Sequence, residues 1–119
     1  MLFVHKIKKQ GQIHVIEMQG DLIETGQADK LMQEVDDIIV NNNIRFVIDM
    51  GALKYLNSSG LTILIRILTK ARKAGGEAVI ASVGKRVKEL LVITKLNTVF
   101  TVAESVEQGI AKLNKLVSN

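Results

Sequence analysis

Cysteine, proline and tryptophan are all absent from these 119 residues. Without cysteine there is no disulfide framework, no thiol nucleophile and no thiolate metal site, which fits a reducing compartment. Without proline, and with no Ser/Gly-rich stretch, nothing marks a linker, so a single domain over residues 1–119 is expected. A chain of this length buries roughly two thirds of its unfolded surface, enough for a core without staples. Aromatic residues are scarce: Phe3, Phe46, Phe100 and Tyr55 make up the set, too few for a base-stacking surface. No run approaches the ~18 apolar residues of a spanning helix. The opening Met-Leu-Phe-Val-His-Lys-Ile-Lys-Lys-Gln is too charged, and its apolar run too short, for a signal peptide. The expectation is a cytoplasmic monomer with neither membrane nor nucleic acid as partner.

The charge that is present is divided unevenly. Residues 1–43 carry four Lys/Arg against seven Asp/Glu, and residues 44–119 carry twelve against five. A basic half can steer acidic partners. With so few aromatics it reads as a solvated basic surface.

Strand and helix patterns alternate along the chain. Residues 2–8 and 12–18 flank Gln10-Gly11 as a β-hairpin. Ala28, Leu31, Met32, Val35, Ile38 and Ile39 recur at helical spacing over 26–41, and Asn41-Asn42-Asn43 stops that helix. Ile44 to Met50 is a short apolar run, the pattern of a buried strand. A helix over Ser58–Lys73 closes at Gly75-Gly76. Ala78–Ala81 is a strand, a short helix starts near Gly84 with Val87, Leu90 and Leu91, and Thr98–Val102 is a last strand. The final helix opens on Ser105-x-x-Gln108, a capping box, with Val106, Ile110, Leu113 and Val117 on one face. The order ββαβαβαβα predicts an α/β fold: a mixed, mostly parallel sheet covered by helices, its antiparallel pair supplied by the hairpin.

Reactive constellations are hard to find. His5 and His14 could face one another across the hairpin, but no third metal ligand stands near them. There is no Walker A loop and no dinucleotide fingerprint, and Gly75-Gly76 follows a helix rather than opening one. Asp36-Asp37 lie on the polar side of a helix, while Asp49 ends a buried strand. With no acid/base or nucleophile set in view, the chain reads as a binding protein, not an enzyme, without metal or cofactor.

One segment stands apart. Tyr55-Leu-Asn-Ser-Ser-Gly-Leu61 joins a strand to a helix at the strand's carboxyl end, where α/β folds bind ligands. Asn57 or Ser58 is a good N-cap. On the wheel of this helix Leu61, Leu64, Ile65 and Leu68 form the core stripe, with Ser59, Ile63, Arg66 and Lys70 opposite. Ile63, with Ile67 at the flank, is then either an ordinary exposed isoleucine or the centre of a small docking patch.

The chain resembles the STAS-domain family and, within it, the stand-alone bacterial anti-sigma-factor antagonists. Gly20-Asp-Leu, the Val47-Ile-Asp-Met strand, the 55–61 junction, Gly75-Gly76, Leu96-Asn-Thr-Val-Phe100 and Glu104-Ser-Val-Glu107 carry the likeness, in order. The resemblance implies partner switching. The unphosphorylated antagonist holds an anti-sigma factor that is also a serine kinase; phosphorylation releases it, and a PP2C-type phosphatase resets the cycle. It maps the acceptor to Ser58 and the partner surface to Asn57, Ser59, Gly60, Ile63 and Arg66. Asn57 stands where the family has an acidic residue, and Ile23 where one is common. The alternative is an unphosphorylated STAS interaction module in a regulatory or transport assembly.

Overall fold

A computed structural model describes residues 2–117, with side chains through Lys115. Five strands form one sheet in the order β1-β2-β3-β4-β5. They are β1 (Phe3–Gln10), β2 (Ile13–Leu22), β3 (Arg45–Leu56), β4 (Glu77–Ala81) and β5 (Thr101–Ala103). The helices are α1 (Asp29–Val40), α2 (Ser58–Lys73), α3 (Lys85–Ile93) and α4 (Val106–Val117). β1 and β2 are antiparallel, and β2, β3, β4 and β5 run parallel to one another. The expected ββαβαβαβα order and sheet type are therefore what the chain adopts.

Alternation along the strands divides the core in two. Ile16, Met18, Phe46, Ile48 and Ile80 point to one face, covered by α1, α2 and α3. Val15, Val47, Val79 and Ala103 point to the other, where α4 lays Leu113 over them, with Val106 and Ile110 at its margin. Gly109 lets α4 sit close, since a Cβ there would meet Val47 at 3.2 Å. Val117, placed on the same helical face by the sequence, has its side chain outside the described residues.

Local chemistry accounts for the boundaries. Gly11, at φ +62°, takes the first place of the two-residue hairpin turn, a conformation that costs glycine nothing. α2 closes in a Schellman motif, with Gly76 N–H donating to Ala71 O at 2.8 Å and Gly75 N–H to Arg72 O at 3.0 Å. At the start of α4, Ser105 Oγ accepts from Gln108 N–H at 3.1 Å. The Gln108 side chain reaches back to Glu104 N–H at 3.2 Å, one residue before the position a capping box uses.

Three expectations need correction. β3 does not stop at Met50 but continues to Leu56, because residues 52–56 keep pairing with the end of β2 after a break in register. The last strand begins at Thr101, since Leu96–Thr98 forms a 3₁₀ turn. His5 and His14 do not face each other. The register sets His5 opposite Met18 and His14 opposite Lys9, and His5 Nε2 instead bonds Glu34 of α1.

Candidate functional site at the β3–α2 junction

The overhang of β3 builds the site. Pairing with β4 ends at Asp49–Ala81, whereas pairing with β2 runs on to Leu22–Leu56. The chain therefore leaves the sheet well past its neighbour before turning into α2. Asp49, half-buried, steadies the exit by accepting Gly51 N–H on Oδ1 at 3.0 Å.

Asn57 makes the turn. Its backbone is extended (φ −116°, ψ −168°), and its Oδ1 accepts Gly60 N–H at 3.0 Å. That is an N-cap in both backbone and side chain, and it settles the choice between Asn57 and Ser58. The other end of the same amide is also used: Nδ2 donates to Ile23 O at 3.0 Å. One side chain thus ties the start of α2 to the loop after β2. That loop is held in turn by Gln27, whose side-chain oxygen accepts Ile23 N–H at 3.0 Å and Glu24 N–H at 3.1 Å.

Ser58 is exposed in the first turn of a sixteen-residue helix. No acidic residue lies in that turn, while Lys70, Arg72 and Lys73 lie in the last. The charges follow the macrodipole, leaving the N-terminus open to an anion. Ser59 is half-buried and Arg66 exposed, so Asn57, Ser58, Ser59 and Arg66 can all be reached from solvent.

Gly60 and Ile63 do not belong to that surface. Gly60 is buried, and a Cβ on it would lie 2.3 Å from Leu22 O and 2.4 Å from Leu56 Cδ1. It is the contact that lets α2 seat on the sheet. Ile63 is fully buried within the main core, not opposite it. The buried stripe of α2 is Gly60, Leu61, Ile63, Leu64, Ile67, Leu68 and Ala71, with Ile65 partly exposed at its edge. Small residues set its centre, because close approach there turns the helix toward Ile63 and Ile67.

The apolar surface beside Ser58 comes from elsewhere. Ile23, whose carbonyl Asn57 holds, is 41% exposed, and Tyr55, two residues before Asn57, is 53% exposed. Sequence reasoning includes Tyr55 in the 55–61 junction but leaves it out of the partner surface, because residues 51–56 read as loop. Strand periodicity through Leu53 and Tyr55 was the available signal. Asp21, in register with Tyr55, is buried, with no hydrogen-bond partner for Oδ1 among the described residues.

His14 packs 6.2 Å from the Phe46 ring, centre to centre. Burial, helped by the nearby Lys9 ammonium, holds its pKa below the ordinary 6.5. Among the described residues no group of three or more His, Cys, Asp or Glu is placed to hold a metal ion. A groove of about 380 Å³ between Gln12 and residues 42–45 lies at the opposite end of β3 from Ser58.

This combination, a mixed sheet with α2 capped just beyond an overhanging third strand, is that of the STAS domain. The chain belongs to that family, whose sequence profile matches residues 5–109. It is 29% identical over 94 residues to a Bordetella bronchiseptica protein provisionally named anti-sigma factor antagonist BtrV, covering 79% of this chain and 80% of that one. In fold it is similar to a Thermotoga maritima protein provisionally described as an anti-sigma factor antagonist. The TM-score there is 0.83, with 14% identity and 92% of this chain and 94% of that one covered. It is also similar to the Bacillus cell fate determinant SpoIIAA in its phosphorylated form, with TM-score 0.73, 12% identity and coverage of 92% and 98%.

Proposed function

We propose that this chain is an anti-sigma factor antagonist switched by phosphate on Ser58. Unphosphorylated, it binds an anti-sigma factor with serine kinase activity through Asn57, Ser58, Ser59 and Arg66, flanked by Ile23 and Tyr55. A PP2C-type phosphatase restores that state. ATP and Mg²⁺ belong to the kinase, and this chain is a binding module rather than an enzyme.

The observation that carries the reading is the division of labour between Asn57 and Ser58. Asn57 caps the helix, so the Ser58 hydroxyl is left exposed with no capping duty. A phosphoryl group there gains from the macrodipole and leaves the fold alone. It also places about −1.5 to −2 charges and a hydrated bulk in the middle of a contact surface. Desolvation and repulsion then release the partner without refolding.

The test is incubation of the chain with its cognate anti-sigma kinase and ATP, followed by intact-mass measurement and calorimetric titration. One phosphoryl group should appear on the parent and none on Ser58→Ala. Ser58→Ala should bind constitutively with stability within about 0.5 kcal/mol of the parent, as for a surface position without a special role. Ser58→Asp should bind weakly and melt no lower. A parent that binds but is never phosphorylated would instead make this an unphosphorylated interaction module.

A further inference from the structure

α3 buries Val87 and Leu91 and leaves its outer side bare. There Val92 is 60% exposed and Ile93 78% exposed. The two line an open groove of about 450 Å³ together with Lys85, Lys88 and Glu89.

The charges on this helix are placed against its own stability. Gly84 provides no side-chain cap, and no acidic residue lies in the first turn. Lys85, Arg86 and Lys88 instead crowd the end where the macrodipole is positive, a location that favours anions. α2 has the opposite arrangement, with its cations in the last turn. Cations where the helix disfavours them, beside aliphatic side chains that nothing among the described residues covers, have no use within the fold.

We propose that the outer face of α3 is a docking surface for an acidic segment of a partner protein that carries aliphatic side chains. It draws on no residue of β3 or α2, so it goes beyond the Ser58 reading and stands without it. Negative charge on the partner would relieve the unfavourable end of α3, and aliphatic side chains would fill the groove over Val92 and Ile93. A second copy docking face to face is a poor occupant, because two basic faces would meet. An anionic bilayer is the rival occupant that the vesicle arm of the test below separates. Nucleic acid would find aliphatic walls where it needs stacking. With only two aliphatic anchors the contact is small, and its partner exchanges rapidly and responds to salt.

The probe is a synthetic helical peptide with leucines at i and i+4 and glutamates flanking them, titrated into the isotope-labelled full chain and followed by NMR. Shift changes should centre on residues 84–93. Affinity should fall at least about tenfold in Val92→Ser/Ile93→Ser, in Lys85→Glu/Lys88→Glu, and against a peptide with alanine in place of leucine. Ser58→Asp should bind the peptide like the parent, which separates this surface from the phosphate switch. Lys85→Glu/Lys88→Glu should also raise the melting temperature while losing the peptide, a pairing that a merely structural role would not produce. Four outcomes would overturn the proposal. These are no shift on α3 at millimolar peptide, equal binding of the alanine peptide, self-association abolished by Val92→Ser/Ile93→Ser, or tighter binding to anionic phospholipid vesicles than to the peptide.

Discussion

Asn57 offers the sharpest test of how the junction is built, because its two amide ends do separate things. Oδ1 caps α2 through Gly60 N–H, and Nδ2 holds Ile23 O, each at 3.0 Å. Asn57→Ala removes both. A lost cap costs about 1 kcal/mol, and an exposed hydrogen bond contributes about 0.5–1 kcal/mol, so a loss of about 1.5–2 kcal/mol is expected. Asn57→Asp keeps the acceptor and adds a charge that the helix start favours by about 0.3–1 kcal/mol. It also loses the donor and sets a carboxylate oxygen against the Ile23 carbonyl. The lost bond and the dipole gain roughly offset each other, so the repulsion decides the sign: Asn57→Asp, although the better cap by charge, should be less stable than the parent by up to about 1 kcal/mol. Asn57→Ser, which caps without reaching Ile23, should fall between parent and alanine. Urea denaturation of the four proteins, fitted with a common m-value, resolves such differences. If Asn57→Asp is as stable as the parent or more so, the Ile23 link contributes nothing and this account of the junction fails. The same variant restores the acidic position of the family. Faster phosphorylation together with lower stability would separate kinase recognition from fold support.

Further predictions concern the core beneath the site. Gly60→Ala should destabilise by about 2 kcal/mol in thermal melts, because overpacking against Leu22 O outweighs the ~1 kcal/mol that alanine gains in helix propensity; a rise in melting temperature would refute the tight seat. Ile63→Val should cost about 1 kcal/mol and Ile63→Ala about 2–5 kcal/mol in urea denaturation, values that a solvent-facing side chain would not give. His14 resists protonation in the folded chain while the unfolded chain protonates near 6.5, so the unfolded state binds more protons as pH falls below that value. Stability should decline from about pH 6.5 downward until the lowered folded pKa is passed, and His14→Leu should flatten that part of a stability–pH profile.

Where one residue decided a boundary, the sequence was readable. Asn57 and the Gly75-Gly76 pair mark both ends of α2, and cap and Schellman motif lie where they predict. The hairpin at Gln10-Gly11 and the two-faced alternation of β3 and β4 were similarly plain. The misreadings share a cause, which is that tertiary contact outweighed local pattern. Residues 51–56 look like a loop because Gly51 and Lys54 interrupt the apolar run, yet the end of β2 holds them as strand. Ile63 was placed outward because Gly60 and Ala71 were not counted as core, although small residues set which side of a helix comes closest. Tyr55 opens the 55–61 junction and Ile23 follows Gly20-Asp-Leu, yet the sequence reading placed neither in the partner surface. Pairing between β2 and β3 brings them to it.

The uneven lengths of β3 and β4 have a consequence for motion. From Met50 to Leu56 the strand is held along one edge only, by β2, while its other edge has no neighbouring strand among the described residues. A two-stranded ribbon opens at lower free energy than the centre of a sheet. Amide protons turned to that free edge have no ladder to break before they exchange with water, whereas those of Phe46–Ile48 wait for the whole domain to open. The strand end that leads to Ser58 is thus the more easily opened part of the sheet. Local opening of residues 50–56 therefore leaves Phe46, Ile48 and the rest of the core undisturbed.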